Sequence, residues 1–260
     1  MPPNYSGPVL GISGGDPAFR GDDGSADPLA AAALGAFAAG SGGEHAALMA
    51  LAGRRLLVPV VAVPTGQSDR RGEVQATRGP GGTAAAWQAD AAGRAKTSTE
   101  MAMPTLIGLD GRRAVPAFTC LDSLRRWRQA ARPVPVAASQ VWQAAVSDSA
   151  AVVIDVAGPV PLAVEGARLA ALANGAAVPL PQDDPDVQQA VVAVLAGELT
   201  VRGFRLGPGD GGHDLMIGLV LAPGKAHRDV DGLACRVGDA IMARLGVRLR
   251  RGIAIAITAG

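Results

Sequence analysis

Aromatic side chains make up only 3% of this 260-residue chain, so its core has to be built from Ala, Val, Leu and Ile, whose small volumes suit close helix and strand contacts. Cysteine is scarce as well. Cys120 and Cys235 lie far apart and form no C-x-x-C pair, which excludes a disulfide framework and a zinc-type spacing and fits a reduced, cytoplasmic setting. Long apolar runs are missing: stretches such as "LMIGLVLAP" fall well short of the roughly 20 residues that a bilayer-crossing helix needs. No basic residue precedes Arg20 and no apolar run follows the start, so no secretory signal is expected. Lysine is almost absent, with Lys96 and Lys225 alone among 24 basic residues, and the net charge of +1 gives no global field to draw polyanions. That counts against nucleic-acid and anionic-membrane binding and leaves room only for a local basic patch.

What is present is 48% hydrophobic residues in a chain long enough for two modest domains. Residues 1 to 26, rich in Gly, Pro, Ser and Asp without hydrophobic periodicity, read as a disordered leader. Asp27 is an expected N-cap with Pro28 in the first helical position, followed by Leu29, Ala33, Leu34 and Phe37 on one face. A second helix is expected over residues 44 to 53, then a strand over residues 54 to 63, in which Pro59 suggests an edge or a bulge. Residues 64 to 98 hold almost no large apolar side chain and are too long for an ordinary connection, which predicts a flexible insertion. From Met101 a β-hairpin is expected, turning at Asp110-Gly111 and returning through Ala114 to Thr119, followed by a helix with Leu121, Leu124, Trp127 and Ala131 on one side. A strand "PVPVA", a helix around Val141 to Val146, an apolar strand "AVVIDVAG" and a helix stopped by Gly175 complete a first domain over residues 27 to 175. The proline-rich acidic stretch 176 to 185 reads as a linker. Residues 186 to 260 then read as helix, strand, strand, helix, strand, with Asp184 or Asp186 capping a helix that turns Val187, Val191, Val194 and Leu195 inward. Asp229 opens the second helix, with Val230, Leu233, Val237 and Ile241 inward. The fold class is α+β, with two domains, each a mixed or mostly antiparallel sheet packed against helices.

The segments "RLLVPVV", "EMAMPTLIGLDGRRAVPAFTCLDSLRRW", "ARPVPV" and "VVIDVAGPVPLAVEGARLAALANG", in this order and spacing, resemble the SseB N-terminal-domain family, the enhanced-serine-sensitivity proteins. The following helix and hairpin look like that family's C-terminal domain. The resemblance implies a mixed α/β domain and no established catalytic activity. It also implies that Phe118-Thr119-Cys120 stands where the family commonly has Phe-Thr-Ser, so an activity shared by the family could not depend on a thiol at 120.

Several stretches carry chemistry in outline. Cys120 could gain thiolate character at a helix start with His45 or His227 as base, or it could be a small residue at an N-cap; the second reading asks less of the sequence. "GISGG" at residues 11 to 15 matches G-x-S-x-G, but a short tail precedes Ser13 where a strand is needed. "GPGDGG" at residues 207 to 212 joins two strands and does not open a helix, so a hairpin turn accounts for it. Asp210, His213 and Asp214 could ligate a metal, but a solvated turn, where polar residues dominate anyway, is the preferred account; "DVDG" at 229 to 232 lacks the remaining ligands of a calcium loop. Arg125, Arg126, Arg128 and Arg132, and separately Arg248, Arg250 and Arg251, could meet phosphates, yet no aromatic is spaced to stack bases beside them.

The expectation is a non-catalytic, cytoplasmic binding module with no cofactor and no metal. Its partner would be an unidentified protein or small ligand, recognised by the hairpin from Met101 to Thr119 and by Arg125, Arg126, Arg128 and Arg132. A ribosome- or RNA-associated factor using the arginine patches and a thiol enzyme using Cys120 are the alternatives.

Overall fold

Asp27 sets the first element: its carboxylate accepts from the N–H groups of Leu29 and Ala30, both at 3.0 Å, and Pro28 begins helix α1, Pro28–Ala38. The computed structural model describes residues 17–64, 99–108, 111–223 and 230–259. The expected leader divides. Residues 1–16 lie outside the described residues, whereas residues 22–25 are held by Arg55, whose guanidinium reaches Asp22 at 2.6 Å and the Ser25 carbonyl at 2.7 Å. On α1 the buried positions are Ala30, Leu34 and Phe37, spaced i, i+4, i+7, whereas Leu29 is 64% exposed, off that stripe.

Helix α2, Glu44–Ala52, follows, then strand β1, Arg55–Pro64. Strand β1 pairs antiparallel with β2, Thr99–Ala102, and with β5, Arg132–Ala137, in the order β2-β1-β5. A second sheet has the order β3-β4-β6-β7, from Leu106–Ile107, Arg113–Ala117, Ala151–Ile154 and Leu162–Val164. The two sheets touch where Leu57 and Phe118 exchange backbone hydrogen bonds of 2.8 and 2.9 Å. The expected hairpin is therefore split: Met101 and Ala102 ladder with β1, and only β3 folds back on β4, around Gly111 at φ +78°. Strand β4 is interior, paired in parallel with β6 through a long crossover that local periodicity cannot register.

Pleating sends neighbours to opposite faces. Leu56, Val58 and Ala117 enter the larger core with Phe37, Leu48, Trp142 and Leu172, under α1, α2, α4 (Ala138–Ser147) and α5 (Gly166–Ala173). Leu57 and Phe118 face the other way, where helix α3, Leu121–Trp127, covers them with Leu124, assisted by Trp127 and Val156. A third sheet, ordered β10-β9-β8, joins Ile253–Ala259, Leu215–Leu221 and Val201–Pro208, with β9–β8 antiparallel and β9–β10 parallel. Under it α6, Pro185–Leu195, and α7, Val230–Leu245, bury Val187, Val191, Leu233, Val237 and Ile241 against Leu215, Ile217 and Leu219. This is the expected order of the last five elements, although Val230 is exposed and Asp229 lies outside the described residues. The mixed sheets on helices make the fold α+β. The insertion expected over residues 64 to 98 lies outside the described residues beyond Pro64.

Prolines have positional meaning in β5. Leu57 turns its N–H and C=O toward Phe118, so strand alternation makes Leu56, Val58 and Val60 the residues bonded to β5, opposite Val136, Val134 and Arg132. Pro133 and Pro135 then occupy the positions whose N–H groups would point outward, and the sheet edge loses two donors there. Pro59 sits opposite Pro133, where no ladder bond is forfeited. A Pro133→Thr, Pro135→Thr double variant restores both outward donors: it is expected to stay folded by circular dichroism and to scatter more light than the wild type at equal concentration. Unchanged scattering would mean that these prolines do not protect the edge.

Candidate functional site

Where β4 ends, Phe118 leads through Thr119 and Cys120 into α3, beside the end of its parallel neighbour β6. Cys120 is the N-cap, in extended backbone, and its half-buried sulfur accepts from the Ser123 N–H at 3.5 Å and lies 3.4 Å from the Ser123 hydroxyl. Across from it Asp155, 5% exposed, adopts φ +48°, a left-handed conformation uncommon outside glycine. Its carboxylate accepts from Thr119 N at 2.9 Å and from the Thr119 hydroxyl at 2.5 Å. The turn closes with Gly158 N–H donating to the Asp155 carbonyl at 2.7 Å, and a Cβ at 158 would come within 2.8 Å of the Asp155 Cβ. Burial pushes the Asp155 carboxyl above its ordinary range, against hydrogen bonds from Thr119 and Ser123. Chemically the cluster holds the two strand ends together. Among the described residues no imidazole bonds to Cys120; His45 stands on α2, and His227 lies outside them.

A second cluster links the two sheet-and-helix layers. Glu44, at the first position of α2, is 7% exposed; Arg168 of α5 is 2% exposed; Asp184, the α6 cap, is fully buried. Arg168 Nη1 donates to Glu44 Oε1 at 2.5 Å, Arg248 Nε donates to Glu44 Oε2 at 3.2 Å, and Arg248 Nη2 donates to Asp184. Two carboxylates and two guanidiniums balance. Burial pushes the Glu44 carboxyl up, and the two arginines pull it back. Asp186 reaches across to accept from Ala167 N–H at 3.0 Å at the start of α5, where Gly166 has φ +59° and any Cβ would collide with that carboxylate. A cleft of about 320 Å³, lined by Glu165, Arg168, Asp186, Arg244 and Arg248, opens at this seam. Within the stretch expected to be a linker, Val178 enters the larger core and Asp184 the charge cluster, while Ala176, Ala177, Leu180 and Asp183 are exposed.

The two arginine groups separate. Arg248, Arg250 and Arg251 are not a phosphate-facing patch: Arg248 is in the buried cluster, Arg250 lies 4.8 Å from the Phe37 ring centroid, and Arg251 Nε binds Asp214 Oδ1 at 2.8 Å. That contact also takes Asp214 away from Asp210, whose carboxylate meets His213 Nδ1 at 2.6 Å, so the three candidate ligands do not converge. Arg125 and Arg126 are exposed on the last turn of α3, where they complement the helix dipole. The helix stops sooner than expected: Arg128 is its C-cap, 5.4 Å over the Trp127 ring, which itself meets Phe118 at 5.5 Å, and Arg132 opens β5.

The charge cluster escaped the sequence reading, although a signal was there. Glu44 precedes Leu48 by one turn, and Arg168 precedes Leu172 by one turn, so each places a charge on the apolar stripe of its helix. A model of the SseB protein N-terminal domain matches residues 31–171. The chain belongs to the SseB family. No curated protein and no solved structure gives a match. The matched span covers most of α1 through most of α5, including Glu44, Cys120, Asp155 and Arg168, so within this SseB chain the charge cluster joins family-matched residues to Asp184 and Arg248 beyond them.

Glu44→Ala would leave Arg168 buried without its carboxylate and is expected to cost about 3–5 kcal/mol, read as a lower urea midpoint. Asp155→Ala orphans the Thr119 N–H and is expected to cost about 1–3 kcal/mol, whereas Asp155→Asn keeps an acceptor there. Because the folded-state pKa of Asp155 is raised, its contribution to stability is fully present below the unfolded value and is lost as pH rises through the folded one. The stability of Asp155→Asn relative to the wild type is therefore expected to increase as pH climbs out of the ordinary aspartate range; urea midpoints at a series of pH values measure it, and a flat difference contradicts it.

Proposed function

We propose that this SseB-family chain is a non-catalytic recognition module whose binding face is the arginine group on α3 and at the start of β5, and whose partner is an acidic protein segment. One observation carries the reading. Arg125, Arg126, Arg128 and Arg132 follow closely in the chain from the last turn of α3 to the start of β5, all but the half-buried Arg128 are exposed, and none of the four forms an ion pair with a described residue, whereas Arg248 and Arg251 are taken up in internal ion pairs. Arg128 over Trp127 adds a flat apolar platform edged by cations, which suits a carboxylate-bearing chain with a hydrophobic anchor. Strand addition, the other half of the expected face, loses support because β4 is interior and the hairpin's own edge strands, β2 and β3, are only four and two residues long.

The absence of a catalytic role, like the absence of a cofactor, is part of the same proposal. It is supported by the commitment of the Cys120 sulfur to capping α3 and of the Asp155 oxygens to Thr119. A cytoplasmic setting is supported by two free cysteines, and among the described residues no helix is long and apolar enough to cross a membrane. The α6–β10 layer would be an SseB-type C-terminal domain, docked on the N-terminal one through the buried charges.

Affinity capture from native extract, with the wild type beside an Arg125→Ala, Arg126→Ala, Arg128→Ala variant, tests the face. The variant is expected to keep its fold and lose acidic partners that the wild type retains at low salt. An unchanged set of captured proteins contradicts the placement, and capture abolished by ribonuclease would move the reading to RNA.

A further inference from the structure

Every sheet edge in the described structure but one is short or blunted. Strands β2, β3 and β7 have four, two and three residues. Strand β5 turns two prolines outward, and β8 has a bulge between Val201 and Gly203, exposed Arg202 and Arg205, and a terminal Pro208. These are the usual devices against unwanted strand pairing. Strand β10 has none of them. Its seven residues, "IAIAITA", carry no charge and no proline, and the strand runs in unbroken parallel register with β9 from Ile253–Leu215 to Ala259–Leu221.

We propose that this edge is an interface, and that its occupant is β10 of a second copy of the chain, running antiparallel about a two-fold axis at Ala256. The strand is self-complementary about that residue. Such an axis places Ile255 beside Ile257 of the second copy and Ala254 beside Thr258, so that branched meets branched on one face and small meets small on the other. An uncharged strand offers nothing to select a charged peptide, whereas its own sequence matches it across residues 254 to 258, with Ile253 opposite Ala259 at the ends. Burial points the same way: Ile253, Ile255 and Ile257 belong to the smaller core yet remain half-buried, while Leu215, Ile217 and Leu219 on the adjacent strand are fully buried. Helix α7 already covers the inner face of β10, with Ile255 Cδ1 3.5 Å from where a Cβ on Gly238 would stand, so what remains open among the described residues is the edge itself. Pairing would join two three-stranded sheets into one of six and close the assembly at two chains, because the two-fold uses each edge once.

Light scattering coupled to gel filtration of the full chain, over a dilution series, reads the outcome. The wild type is expected at twice the chain mass. Ala256→Glu puts two carboxylates on the axis at an exposed position and is expected to halve the mass, with circular dichroism and urea midpoint near wild type; Ala256→Lys is expected to do the same. An equal mixture of the two variants brings opposite charges together and is expected to restore the doubled mass. A wild type that stays at single-chain mass throughout, open-ended assembly, a doubled mass that survives Ala256→Glu, or a mixture that stays monomeric would each overturn the assignment.

Discussion

Four charges withdrawn from water between two layers set the terms on which this chain folds. Glu44, Arg168, Asp184 and Arg248 come from α2, α5, the α6 cap and the turn after α7, and each carboxylate finds a guanidinium that no local element provides. Burying such groups costs several kcal/mol per ion, and their attraction returns this only when the geometry satisfies their hydrogen-bonding capacity. The cluster therefore serves docking more than net stability. Two apolar cores made of Ala, Val, Leu and Ile could slide over one another with little penalty, but a displaced layer would strand charges in the seam.

The neighbouring contacts reinforce that single arrangement. Asp186 caps α5 across the boundary at a glycine that leaves no room for a side chain, Arg250 lies on the Phe37 ring, and Arg251 holds Asp214 close to Gly43. Within the larger layer the same economy appears at Asp155, where one buried carboxylate joins the ends of β4 and β6 and so fixes where α3 begins. That placement brings Phe118, Trp127 and Arg128 into one stack and leaves Arg125 and Arg126 facing solvent. The candidate recognition face is thus a consequence of the turn chemistry behind it. Similar arginine-rich stretches end in opposite situations because one follows a helix on the outside of a sheet and the other lies in a seam lined with carboxylates.

Local chemistry was legible wherever one residue decides for its neighbours. Asp27 with Pro28, Asp184 with Pro185, and Gly175 past α5 mark helix ends through hydrogen bonds made within a few residues, and all three do so in the structure. Pairing was not legible. The parallel ladder of β4 with β6 joins residues separated by two helices and a strand, and nothing within either strand names its partner. The role of Asp184 was hidden for a related reason: prolines and acids predict an extended, polar stretch, but Asp184 is polar because it has a buried cation to meet.

The sequence by itself thus determined the fold class, the family and most helix boundaries, since propensity, capping and periodicity act over one or two turns of chain. Tertiary structure alone decided which strands are edges, which arginines reach solvent and which carboxylates enter the core. Those outcomes depend on groups brought together from distant positions, and the free energy of a charge is set by what surrounds it after folding rather than by its neighbours along the chain.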